Sequence, residues 1–239
     1  MMLLVRGDRE FLVAPGEELH TDLGVVEAPE DPEPGETVET HLGEPFTVRE
    51  LRGPDLFNHL ERTGAPMMPK DVGLVAGFTG VSRSDRVLDA GTGTGVLAAH
   101  LGRMGAEVVT YERDEEFADV ARENMELAEV ADTVEVRTGD LTEHLDELSG
   151  FDVLTLDTEN APEVVAEADD LLVGGGYVAV YSPFVESAKA TADAAREAGL
   201  SSVETTETIQ REMDFDDRGS RPSTAGVGHT GYLTIARNE

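Results

Sequence analysis

Four acidic residues and three glycines hold the chemistry this sequence can do. Asp89, Glu112, Asp140 and Asp157 each fall at or just past the end of a short run of strand character. Gly91, Gly93 and Gly95 follow the first of them in Asp89-Ala-Gly-Thr-Gly-Thr-Gly95. Glycines so spaced let the backbone turn tightly and approach a ligand at the positive end of the helix that opens at Val96. The spacing is Gly-x-Gly-x-Gly. A dinucleotide fingerprint needs its third glycine one place later, where Val96 stands. Asp89 fits a ligand bearing an amino group better than one bearing pyrophosphate. S-adenosylmethionine has an ammonium, a sulfonium and no phosphate, and it suits that turn.

The acids divide the work by position. Glu112, about twenty residues after the glycine turn, can accept from both hydroxyls of a ribose. Asp140, in Arg137-Thr-Gly-Asp-Leu141, can meet the adenine amine, and Asp157, in Thr155-Leu-Asp-Thr158, faces the reacting methyl. Thr92, Val96, Arg113 and Leu141 adjoin these acids and glycines and complete the expected cofactor set. An acid at any one such place also serves as an ordinary helix N-cap, the role assigned to Asp114. The joint pattern is what points to a cofactor site.

Strict strand–helix alternation must position these groups. Strands are expected at 87–89, 107–111, 133–137, 153–156 and 177–181, with helices at 96–101, 115–128, 162–171 and 184–197. Gly174-Gly-Gly176 reads as a turn between helix and strand. Two β runs at 202–211 and 229–236, joined by a polar stretch, suggest an antiparallel closure of a mostly parallel sheet. That is the outline of a Rossmann-like class I methyltransferase fold. Residues 1–52 instead alternate apolar and polar in short runs broken by Arg6-Gly-Asp8, Ala14-Pro-Gly16 and a proline-rich stretch ending at Gly35, a small all-β domain. Residues 53–239 would then form the catalytic domain. Short helices are expected at 54–61 and 71–78, linked through Pro66 and Pro69.

Composition narrows the classes. The absence of cysteine excludes disulfides, zinc–thiolate sites and thiol catalysis. The six histidines show no ligand spacing, so no metal is expected. Met1-Met-Leu-Leu-Val5 is too short for a signal peptide and no apolar run approaches about 18 residues, so a cytoplasmic protein without membrane attachment is expected. There are 50 acidic against 18 basic residues, a formal charge of −32, and the only lysines are Lys70 and Lys189. Self-repulsion on that scale is tolerable where salt screens it, which reads as a halophile's surface. Net charge therefore says little about the partner. Arginines gather at Arg6 and Arg9, at Arg49, Arg52 and Arg62, and at Arg211, Arg218 and Arg221. These are candidate phosphate contacts or partners of the abundant acids.

From about Thr63 to Arg237 the chain resembles the TrmI-type tRNA adenine-N1 methyltransferases of archaea, which modify the T-loop at position 57/58. The matching residues are Pro69-Lys-Asp71, the glycine turn, Tyr111-Glu112, Ala121-Arg-Glu-Asn124, Leu156-Asp157 and Gly174-Gly-Gly176. Further ones are Tyr181-Ser-Pro183, Arg221-Pro222 and His229-Thr-Gly-Tyr-Leu233. The resemblance implies S-adenosylmethionine as donor, tRNA as acceptor and a homo-oligomer, with a tetramer favoured. It places Asp157 as the acid that positions the target adenine. Tyr181, Pro183 and His229 are candidate walls for that base, and His229 alternatively just starts a strand. Two departures touch the base side. Asp157-Thr-Glu-Asn-Ala-Pro162 replaces a Pro-x-Pro-Trp-like segment, and Met68 stands where an aromatic often precedes Pro-Lys-Asp.

Other readings share the fold. A protein isoaspartyl or small-molecule methyltransferase would have the same glycine turn, but not the front β module or the His-Thr-Gly-Tyr-Leu ending. A non-catalytic RNA-binding subunit would have lost cofactor residues, and all are present here.

Overall fold

The computed structural model describes residues 1–226 and 231–239. The chain begins with β1 (Met2–Arg6), β2 (Arg9–Val13), β3 (Glu18–Thr21), β4 (Gly24–Glu27), β5 (Thr37–Glu39) and β6 (Pro45–Glu50). Strands β2-β1-β6-β5 form one antiparallel sheet, and β3 with β4 forms a separate hairpin. Strand β3 is absent from the sequence reading because Glu18-Leu-His-Thr21 has a single strongly apolar residue. Met2, Leu4, Phe46 and Val48 fill the centre of this module. Leu3 points the other way, as alternation along a strand requires, and packs with Leu51, Leu56 and Leu101 of the following layer. The module thus shares a core with the rest of the chain.

Helices α1 (Gly53–His59) and α2 (Pro69–Thr79) lead into the alternating region. There β7 (Arg86–Ala90), α3 (Val96–Arg103), β8 (Glu107–Glu112), α4 (Glu115–Leu127), β9 (Val134–Thr138) and β10 (Phe151–Leu156) follow in order. The expected helix at 162–171 is two pieces, α5 (Ala161–Ala166) and α6 (Ala168–Leu171), separated at Glu167. Strand β11 (Leu172–Ser182) absorbs the glycine triplet. Leu172 pairs with Phe151 and Tyr177 with Val153, so residues 173–176 bulge out of register rather than preceding the strand as a turn. The chain ends with α7 (Val185–Glu197), β12 (Ser201–Thr206), β13 (Met213–Asp216), β14 (Gly219–Pro222) and β15 (Tyr232–Arg237).

The main sheet has the order β12-β15-β11-β10-β7-β8-β9. It is parallel from β11 to β9, while β15 runs antiparallel between β11 and β12. The antiparallel element is therefore inserted next to the edge, and β12 closes the sheet. The expected β run to residue 211 stops at Thr206, and the polar stretch after it folds into the β13–β14 hairpin. Gly-Ser-Arg-Pro carries no apolar alternation, which is why that hairpin was not legible.

Candidate active site

From β7 the chain winds outward through β8 and β9, then returns to β10 on the opposite side of β7. The switch point of the sheet lies between the carboxyl ends of β7 and β10, the place where open α/β sheets bind ligands. Gly91 and Asp157 meet there. The Asp157 amide donates to the carbonyl of Ala90 at 2.9 Å, and a Cβ on Gly91 would lie 2.1 Å from the Asp157 carbonyl oxygen. With φ at +85°, Gly91 is required twice over, by conformation and by approach.

Asp89 is buried and already bonded through both carboxylate oxygens, each of which keeps one further lone pair. Thr110 and Thr155, from the strands on either side, each donate to one of its oxygens at 2.5 Å. Since the Thr110 proton is committed to Asp89, the 2.5 Å contact between Thr92 and Thr110 has Thr92 as donor. Asp89 is buried, which raises its pKa. Its role is to knit three strand ends and the glycine turn together, and one face of it still borders the smaller of the two neighbouring cavities.

The larger cavity, about 420 Å³, lies in the range typical of small-molecule sites. Gly91, Gly93, Glu112, Arg113, Asp140, Leu141 and Asp157 line it, so the structure brings these expected residues together. Thr92, Gly95 and Val96 border the smaller cavity beside it, which also touches Gly91, Gly93 and Asp157. Glu112 accepts from the amides of Gly93 at 2.9 Å and Asp114 at 3.1 Å. Those bonds fix the carboxylate and leave further lone pairs for a diol. Asp140 caps the short 3₁₀ turn Leu141–Glu143, accepting from the Thr142 amide at 3.0 Å and hydroxyl at 2.8 Å. These bonds hold its carboxyl below the usual range. Asp114 caps α4, as expected.

Five carboxylates border the larger cavity (Glu112, Asp114, Asp140, Asp157, Glu159) against one guanidinium, Arg113, which is paired with Glu159 at 2.5 Å. That lining repels a polyphosphate and suits a sulfonium bearing an ammonium. Asp157 is exposed on the side of the open cleft, and protein is packed round the rest of it. Burial, with the nearby charge of Asp89, pushes it up to about 7. Water in the cleft moderates the shift, and a substrate sealing the cleft strengthens it.

Two further features fit the cavity to S-adenosylmethionine. A Cβ on Gly93 would meet nothing closer than 3.9 Å, so it would occupy the cavity itself. Thr63, from the segment over the glycine turn, has a buried hydroxyl at the cavity wall with no hydrogen-bond partner among the described residues. Asn124 holds that segment down. Its amide donates to the carbonyls of Glu61 at 2.9 Å and Thr94 at 2.8 Å, and its oxygen accepts from the Glu61 amide at 3.0 Å. Neither residue was in the expected site. Asn124 stands among the residues that carry the family resemblance, with no site role attached, and a loop threonine such as Thr63 has no pattern to mark it.

The base-side residues are more dispersed. Tyr181 ends β11 and packs against Gly231, where a Cβ would lie 2.3 Å from the phenol oxygen. Burial and the charges of Asp71 and Asp157 raise its pKa. Asp71 is itself buried and paired with Lys70 at 2.6 Å. Pro183 is exposed, and like Tyr181 it borders neither of the two cavities at Asp157. His229 lies outside the described residues. Among the described residues no group of His, Asp and Glu is placed to hold a metal. No helix is long and apolar enough to cross a membrane.

A model of the tRNA methyltransferase complex GCD14 subunit family matches residues 54–219. The tRNA (adenine(57)-N(1)/adenine(58)-N(1))-methyltransferase TrmI of Methanocaldococcus jannaschii is 33% identical, covering 97% of this chain and 92% of its own. The chain belongs to this family. The tRNA (adenine(58)-N(1))-methyltransferase TrmI of Thermus thermophilus is 28% identical over 99% of this chain and 96% of its own. Among solved structures, a SAM-dependent O-methyltransferase from Thermotoga maritima superposes with a TM-score of 0.82 at 28% identity, covering 99% and 92% of the two chains. Membership covers the glycine turn, all four strand-end acids and the helices between them. The chain is a methyltransferase enzyme of class I fold, and S-adenosylmethionine is its cofactor.

Proposed function

We propose that this enzyme methylates N1 of adenine in the T-loop of tRNA, at position 57/58, with Asp157 as the catalytic group. The observation that carries the reading is the location of Asp157 at the switch point, bordering both cavities and abutting Gly91. The substrate stated for the M. jannaschii and T. thermophilus relatives supports it.

S-adenosylmethionine supplies an electrophilic methyl on a sulfonium. Glu112 holds the ribose, the glycine turn admits the methionine portion, and Asp140 and Leu141 border the adenine. Neutral adenine N1 has a lone pair and no proton, so the first task is in-line positioning rather than deprotonation. The Asp157 carboxylate accepts from the exocyclic amine, orients the ring and stabilises the positive charge that develops on it. With a pKa near 7, it is also poised to take up a proton afterwards. The N1 edge is engaged in the folded T-loop, so the base must be extruded into the cleft. Tyr181, facing the charges of Asp71 and Asp157, is the described residue best placed to meet it. The surroundings of the reaction are cytoplasmic in this reading, and the enzyme acts as a homo-oligomer, with a tetramer favoured.

Transfer of labelled methyl to an unmodified tRNA transcript in molar KCl tests the reading, with adenines 57 and 58 replaced singly and together. Label recovered as N1-methyladenosine and lost with one or both replacements is expected. Label that survives replacement of both adenines would overturn the substrate.

A further inference from the structure

Asn160 is the N-cap of α5, a position where asparagine normally bonds the amides of its own helix. Here it makes no capping bond. Its side-chain amide turns across the cavity and donates to Asp140 Oδ2 at 3.0 Å. The orientation of the amide follows from chemistry. Asp140 is held ionised by its hydrogen bonds and accepts only, so the NH2 of Asn160 must face it. Asn160 Oδ1 is thereby on the other edge of the amide, and no donor among the described residues bonds it. Meanwhile Oδ1 of Asp140 is already taken by the Thr142 amide and hydroxyl. The wall made by Leu141, Val164 and Tyr111 is apolar and buried, and Asp140 and Asn160 supply acceptors at its edge. A flat ring carrying one exocyclic amine matches that arrangement.

We infer that Asn160 is a specificity-determining residue for the cofactor: its Oδ1 accepts from the adenine amine, with Asp140 serving to aim it. The inference deepens the cofactor site and rests on S-adenosylmethionine as its ligand. It also gives a use to the segment that follows the switch-point acid, Asp157-Thr-Glu-Asn160. The same loop reaches Arg113 through Glu159, so it closes over both the ribose and the adenine ends of the cavity.

An acceptor aimed at an amine rejects a ligand with a carbonyl in its place. The test is calorimetric binding of S-adenosylhomocysteine and of S-inosylhomocysteine, its 6-oxo counterpart, to the full chain. Wild type is compared with Asn160→Leu and Asn160→Ser. Serine is itself a favourable N-cap residue, so the second variant offers α5 a cap that Asn160 does not supply and remains testable if the first fails to fold. Wild type is expected to prefer the adenine ligand by about tenfold or more, the worth of one well-made hydrogen bond. Both variants lose most of that preference through weaker adenine binding, while the inosine ligand changes less than about twofold. Equal weakening of both ligands would overturn the inference, since Asn160 would then act only by shaping the loop. Undiminished preference would overturn it as well. Failure of wild type to bind S-adenosylhomocysteine at all would sink the cofactor assignment beneath it, a separate and recognisable result.

Discussion

Asp157 gives the sharpest expectations at the scale of single residues. Its folded-state pKa of about 7 lies above the ordinary value of 3.8. The native state therefore binds more protons than the unfolded chain between these values, and stability falls as pH rises through about 7. Asp157→Asn removes the charge. It is expected to stabilise the protein at pH 8 by about 1 kcal/mol, allowing for solvent in the open cleft, and to change little near pH 4. Thermal melts at the two pH values check the sign, and equal effects at both would contradict the shift. Activity runs the other way. The ionised form accepts from the substrate amine, so single-turnover transfer is expected to rise through about pH 7 and then level. The four acids were legible as residue types at strand ends. Their partners were not, because Thr110 and Thr155 look like ordinary β-formers until the sheet sets them on either side of Asp89.

At the scale of elements, the site depends on how closely backbones approach. Gly91→Ala puts a Cβ against the Asp157 carbonyl at a backbone angle unfavourable to alanine. A loss of about 3 kcal/mol or more is expected, with cofactor binding abolished in whatever folds. Chemical denaturation and calorimetry measure both. Asn124→Ala leaves the carbonyls of Glu61 and Thr94 and the Glu61 amide without their partner. It is expected to cost about 3 kcal/mol and to weaken cofactor binding, because Thr63 sits two residues beyond the anchor. Unchanged affinity in a folded Asn124→Ala protein would show that the segment is not part of the site. Alternating apolar runs made the core strands and helices readable to within a few residues. The bulge at 173–176, the break at Glu167 and the β13–β14 hairpin were not. The bulge depends on pairing with a distant strand, the break is local to the helix, and the hairpin has no apolar alternation, so none leaves a periodic signal.

At the scale of the molecule, charge and surface set the terms. Arg6, Arg9, Arg49, Arg52, Arg218 and Arg221 are all ion-paired to carboxylates, with Glu44, Asp22, Glu10, Glu50, Asp216 and Asp214 respectively. Arg62 lies over the Phe57 ring, 4.9 Å from its centroid. Any arginine in these pairs that meets RNA must exchange a carboxylate for a phosphate, an exchange nearly neutral in electrostatics and favoured by bidentate geometry. With a formal charge of −32, melting temperature is expected to climb steadily from 0.1 M to molar KCl, about the range over which the Debye length falls from 10 to 3 Å. A flat response would remove the case for salt adaptation. Ile209, Met213 and Phe215 are exposed on and beside the β13–β14 hairpin, Phe215 at 77%. These residues are the candidate contact surface for the homo-oligomer proposed above. In that proposed assembly Phe215→Asp is expected to lower the mass in light scattering, and an unchanged mass would count against this surface.

The most direct measurement compares wild type and Asp157→Ala for methyl transfer to unmodified tRNA, with S-adenosylmethionine affinity determined on the same preparations. N1-methyladenosine formed in the T-loop by wild type, reduced about a thousandfold or more by the substitution while cofactor affinity stays within a few fold, is the predicted result. Methyl transfer that survives Asp157→Ala, or a methyl found on a nucleoside other than adenosine, would contradict the account.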